Sequence, residues 1–169
     1  MAHIRFTLSG PFRVPYKKDP ASRCKQILSE HAKLFWQDEC VIPFADKQGC
    51  YIFALRNGQW HTPWYVGKAG KALRTETFTP DKLLKFNRVI FEKKGTPIMF
   101  FVTRTDGRNN FPATVLYQLE KFLIQAAKFK NPELINKIHT KNLDDWSIDD
   151  VYRFRNAAQP AILAIYSKK

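Results

Sequence analysis

Three pairs of a short polar residue and a proline, Asp19-Pro20, Thr79-Pro80 and Asn131-Pro132, read as helix starts in this chain. No other feature constrains folding as much. Proline at the first helical position arrives with φ preset and lacks an N–H that would have no partner there, while the side chain before it can cap the helix. After Asp19-Pro20, the residues Cys24, Ile27, Leu28, His31, Leu34 and Phe35 recur near a 3.6 period, which predicts a helix over 20–36. After Thr79-Pro80, Leu83, Phe86, Val89 and Ile90 line one helical face, with Lys82, Lys85, Arg88 and Lys93 over much of the rest. Asn131-Pro132 predicts a short further helix. Pro112 opens the clearest one, to about Phe129, on a stripe of Val115, Leu119, Phe122 and Ala126 widened by Leu116 and Leu123.

The segments between these starts read as strands. Residues 6–14 form a short strand or extended arm. Residues 50–55 are rich in aromatic and β-branched side chains. A turn at Arg56-Asn57-Gly58 follows, with a connection through His61 and Pro63 longer than two residues, and Trp64-Tyr65-Val66 return. Residues 98–102 are continuously apolar, as in a central strand. The last thirty residues carry another helix near 148–154 and a strand near 161–166. A chain of 169 residues, 44% hydrophobic, supplies one core. With no linker or repeat, the reading is a single mixed α/β (α+β) domain over 1–169, with additions at both ends.

Twenty-eight Lys and Arg against fifteen Asp and Glu give a formal charge of +13. Such a field attracts phosphate polymers but names no sequence and no chemistry. The excess is uneven: residues 61–95 hold eight basic and three acidic groups, and 121–142 add Lys121, Lys128, Lys130, Lys137 and Lys141 against Glu133 alone. No run approaches the roughly 20 apolar residues of a membrane span, and Met1 to Gly10 contain no apolar secretory core. The expected location is cytoplasmic or nucleoid-associated, not secreted and not in a membrane. Cys24, Cys40 and Cys50 are few, odd in number and widely spaced, so they read as buried thiols. His3, His31, His61 and His139 form no zinc spacing.

One ordered set of residues carries chemistry. Gly49-Cys50-Tyr51 and Tyr65-Val66-Gly67-Lys68 fall on neighbouring antiparallel strands if the turn closes, and can place both phenols on one face. Arg74 follows nine residues after Tyr65. Glu120 lies between Leu116 and Ile124, a carboxylate on an otherwise apolar helix face, where an arginine, a metal or hydroxyls would offset its burial.

This set resembles the GIY-YIG nuclease family over about residues 48–138. The two tripeptides match its signature pair, Arg74 its motif arginine, Glu120 its metal-ligating glutamate, and Asn136 the asparagine that often follows. The resemblance implies a small three-stranded antiparallel sheet flanked by helices, with residues 1–47 and 139–169 as extensions, the latter packed on the core. It implies a divalent-metal-dependent endonuclease that hydrolyses phosphodiester bonds, with DNA ahead of RNA as substrate. Glu120 would hold Mg²⁺ (or Mn²⁺) and Arg74 would neutralise the phosphate. Tyr51 would help to deprotonate the attacking water, Tyr65 would orient water or phosphate, and Lys68 would stand near the phosphate as a point charge. Gly49, Gly67 and Asn136 would support the site.

Lys71, Lys82, Lys85 and Arg88 would follow the nucleic-acid backbone, and Arg108, with Asn109 and Asn110, is suited to base-edge contacts or to an ordinary polar loop. One active site needs two encounters or a homodimer to cut both strands. Two departures stand out. Cys50 replaces the usual isoleucine, a small change. Phe78 stands where many relatives carry a histidine and cannot move a proton, which leaves open a catalytically weak or inactive nucleic-acid-binding module on the same scaffold.

Overall fold

The computed structural model describes residues 4–22, 24–106 and 111–138. A single antiparallel sheet organises them. Its strands are β1 (Phe6–Arg13), β4 (Gly49–Asn57), β5 (Trp60–Ala69) and β6 (Thr96–Arg104), in the order β1-β6-β4-β5. The expected three-stranded sheet is therefore four-stranded: the amino-terminal arm pairs with β6, from Phe6 opposite Arg104 to Arg13 opposite Ile98. A two-stranded hairpin, β2 (Lys17–Lys18) with β3 (Lys25–Gln26), stands apart from it. The helices are α1 (Ser29–Gln37), the single turn α2 (Leu73–Glu76), α3 (Pro80–Glu92) and α4 (Ala113–Lys130). A 3-10 turn, Ile42–Phe44, lies between α1 and β4.

Alternation along β4 and β5 divides the core into two layers. Tyr51, Phe53, Leu55 and Tyr65 point into the layer that also holds Phe35 of α1 and Phe86, Val89 and Ile90 of α3. Cys50, Ile52, Ala54 and Val66 point the other way, onto Leu116, Leu119, Leu123 and Ile124 of α4. The stripe read for α4 is shifted from the one that packs: Leu116, Leu119 and Leu123 are buried with Ile124 and Ala127, Val115 and Phe122 are partly buried at the edge, and Ala126 is half-buried, whereas α3 buries the face read for it. In the first layer aromatic rings meet directly, with Phe53 stacked on Phe86 at 4.2 Å between centroids. Such contacts add to the gain from removing apolar area from water.

Two of the three polar-proline signals do not open helices. Asp19 instead caps the β2–β3 turn: its carboxylate accepts from the Ala21 N–H and the Ser22 hydroxyl. Residues 25–27 are held extended by Asn87 of α3, which both donates to and accepts from the Ile27 backbone. Helix α1 therefore starts only at Ser29, where the Leu28 N–H donates to His31 Nδ1. After Asn131-Pro132 the chain turns and runs extended along β5, with the Ile135 N–H on the Trp64 carbonyl. The β4–β5 connection is shorter than expected, a two-residue turn closed by Asn57 opposite Trp60, and Pro63 sits at a break in register rather than in a loop. The elements expected near 148–154 and 161–166 lie outside the described residues, as does the carboxy-terminal extension, 139–169.

Candidate active site

The two motif tripeptides pair directly. Tyr51 stands opposite Gly67, Cys50 opposite Lys68, and Gly49 opposite Ala69. Both glycines are sites of close approach. A Cβ on Gly67 would lie 2.4 Å from Cζ and from Oη of Tyr51, and one on Gly49 would lie 2.4 Å from the Val102 carbonyl oxygen. The Tyr51 ring thus lies across Gly67, in space that any other residue at 67 would fill.

Tyr51 is fully buried and its hydroxyl donates to the Glu76 carbonyl of α2 at 3.3 Å. Its ring centroid is 6.2 Å from that of Tyr65. Burial, then the neighbouring Tyr65, Glu76, Glu120 and Cys50, push the Tyr51 phenol well above its ordinary range. Tyr51 is the residue expected to help deprotonate the attacking water; as folded, its hydroxyl donates to the Glu76 backbone oxygen. Tyr65 faces α3, with the ammonium groups of Lys82 and Lys85 5.5 and 5.4 Å from its ring centre. Burial works against the charge on Lys82, but Tyr65 and Asp81 outweigh it, and the lysine pKa is raised.

Across the sheet, Lys68 Nζ lies 2.8 Å from Oε2 of Glu120. The carboxylate is mostly covered, at 14% side-chain exposure, and the lysine is at the rim, at 41%. Buried Cys50 senses both charges; its thiol is pushed up first by burial and then by Glu120, which keeps it inert. Cys24 is half-buried and Cys40 exposed, so only Cys50 meets the expectation of buried thiols.

Arg74, on the single turn of α2, is held at a third point. One of its terminal nitrogens lies 2.6 Å from Asp46, and the Arg74 and Leu73 N–H groups donate to the carbonyls of Ala45 and Lys47. Neither Asp46 nor this anchoring by the amino-terminal segment was signalled by any spacing in the sequence. Asn136 clamps the edge of β5, accepting from the Val66 N–H at 2.9 Å and donating to the Val66 carbonyl at 2.8 Å. Asn131 donates to the Pro63 carbonyl beside it.

The candidate residues thus form three groups: the tyrosine pair against α2 and α3 on one face of the sheet, the Lys68–Glu120 pair under α4 on the other, and Arg74 with Asp46 at α2. Tyr51 reaches α2 through its hydrogen bond to the Glu76 carbonyl. Gln48 ties the mouth together: its amide donates to the Gly70 carbonyl and accepts from the Phe111 N–H at the entry to α4. No protein-family model matches the chain, and neither curated proteins nor solved structures provide a match.

The surrounding candidates divide. Lys82 and Lys85 are half-buried at Tyr65 and share Asp81; Arg88 is exposed and paired with Glu92. The Lys71 side chain is exposed, while its N–H donates to Glu76. Arg108 lies outside the described residues. Phe78 packs edge-on against Phe35 and Phe86, so it serves the core. Among the described residues no three His, Cys, Asp or Glu side chains gather as a metal cluster. A hard cation at this site would have Glu120 as its protein ligand, which suits Mg²⁺, an ion that keeps several waters and takes further oxygens from a phosphate. Glu120 already holds one cationic group, the Lys68 ammonium. Among the described residues no helix is long and apolar enough to cross a membrane.

Proposed function

We propose that this protein is a divalent-metal-dependent endonuclease of the GIY-YIG type, acting on DNA. The observation that supports it most is the direct pairing of the two tripeptides, with Tyr51 lying over Gly67 on one face of the sheet and the Lys68–Glu120 pair on the other. Glu120 would hold Mg²⁺ or Mn²⁺, and Lys68 would move off the carboxylate toward phosphate. A bound ion would supply Lewis-acid stabilisation of the phosphate and of the leaving oxygen and a more acidic water. Arg74 takes the negative charge that gathers on the phosphate. Tyr51 orients, through its hydroxyl and its hold on α2. Tyr65, with Lys82 and Lys85 at its ring, carries the approach of the nucleic-acid backbone. Such contacts fix register without reading bases.

A second reading has specific support: Phe78 is packed against Phe35 and Phe86, which fits a nucleic-acid-binding module without turnover. Incubation of plasmid and branched DNA with Mg²⁺ or with EDTA decides between them. The endonuclease reading expects metal-dependent nicking by the wild type, lost in Glu120→Ala. Tight binding without cleavage across these substrates supports the module.

A further inference from the structure

The Arg74–Asp46 pair joins the motif arginine to a residue outside the span of the motif. Both side chains are open to solvent, at 55% and 68% exposure, and the contact is 2.6 Å. Backbone bonds fix the geometry on either side of it: Arg74 donates to the Ala45 carbonyl and Leu73 to that of Lys47, so Asp46 is held between two anchors, facing the guanidinium. Buried Val41 and Ala45 fasten this stretch to the protein. The result is a carboxylate presented to an arginine on a rigid support, in contact with water.

We infer that Asp46 is a built-in stand-in for a nucleic-acid phosphate, occupying the anion site of Arg74 until substrate displaces it. The inference rests on the proposed function, since it takes Arg74 as the phosphate contact. A carboxylate and a phosphodiester offer the same feature to a guanidinium, two oxygens that accept parallel N–H bonds. The exchange is easy in one direction because an exposed ion pair is weak. It also has a use. With Asp46 on Arg74 and Lys68 on Glu120, both charges of the site are balanced without ligand, so the arginine keeps its pose and loose polyanions gain little there.

The test is binding of a short fluorescein-labelled DNA duplex in EDTA, followed by anisotropy. Asp46→Asn is expected to bind about two- to fivefold tighter than wild type, the range an exposed ion pair allows. Asp46→Glu, which keeps the pair, is expected to match wild type. Glu39→Gln, which removes an equal charge from the exposed segment after α1, is expected to leave binding unchanged. In an Arg74→Ala background the gain from Asp46→Asn disappears. Weaker or unchanged binding by Asp46→Asn overturns the inference, as does a gain that persists without Arg74. Cleavage of the same duplex with Mg²⁺ is read separately. If wild type binds but never cuts, the nuclease reading falls, while the binding series still decides the role of Asp46.

Discussion

Replacing Gly67 by alanine perturbs the centre of the motif with a single methyl group. That methyl would arrive 2.4 Å from Cζ and the hydroxyl oxygen of Tyr51 and 2.9 Å from Cε1. Tyr51 has no exposed surface, and its ring is confined by Tyr65 and by the bond to Glu76, so it cannot swing aside without disturbing the first core layer. Forcing a methyl into a packed interior costs about 1–3 kcal/mol. For a chain of this size that lowers Tm by roughly 2–4 °C per kcal/mol.

Gly70→Ala is the matched control, because nothing lies within 4 Å of a Cβ there. Calorimetric or urea unfolding should show Gly67→Ala clearly destabilised and Gly70→Ala unaffected or slightly stabilised, by a few tenths to about 1 kcal/mol. Tyr51→Leu lacks the clashing atoms, so Gly67→Ala added to it should cost much less than in wild type. Equal stability of Gly67→Ala and wild type, or an equal cost in the Tyr51→Leu background, would refute the interlock.

Two further outcomes follow from single side chains. Asn136→Ala removes both bonds that clamp Val66 at the edge of β5 and should cost about 1–3 kcal/mol in urea unfolding, with Asn136→Asp, which keeps an acceptor, losing less. Unchanged stability would mean the clamp is idle. His61 is buried, its Nδ1 has no hydrogen-bond partner among the described residues, and burial, then Arg56, lower its pKa. The unfolded chain therefore takes up a proton there first, near pH 6.5, and stability should fall as pH drops below that value. His61→Leu should show a smaller loss between pH 7 and pH 5 than wild type; an identical loss would place the acid sensitivity elsewhere.

What could be read from sequence was whatever local chemistry decides. Leu116, Leu119 and Leu123 of α4, the face of α3 and the strand character of 50–55 rest on period and composition, and the structure packs those residues. The errors came where a distant partner decides. Asn87 holds Ile27 extended against a helical period, and Trp64 captures Ile135 before a helix can continue from Pro132. The fourth strand required β6 to accept residues about ninety positions away, which no local pattern announces.

The same division runs through the site. Tyr51, Gly67, Lys68 and Glu120 were visible because two pair in register and Glu120 interrupts an apolar face. Asp46 was not, because its partner is set by how the amino-terminal segment lies on α2. The burial of Tyr51 was hidden too, since burial is a property of the fold.

The account turns on Glu120 as the residue that holds the metal. Anomalous diffraction from crystals of the protein with a short DNA duplex and Mn²⁺ tests this directly. The account predicts a manganese peak about 2.0–2.2 Å from a Glu120 carboxylate oxygen, with Lys68 withdrawn from its present 2.8 Å contact. A Lys68–Glu120 pair left intact, with manganese bound elsewhere or nowhere, would contradict it.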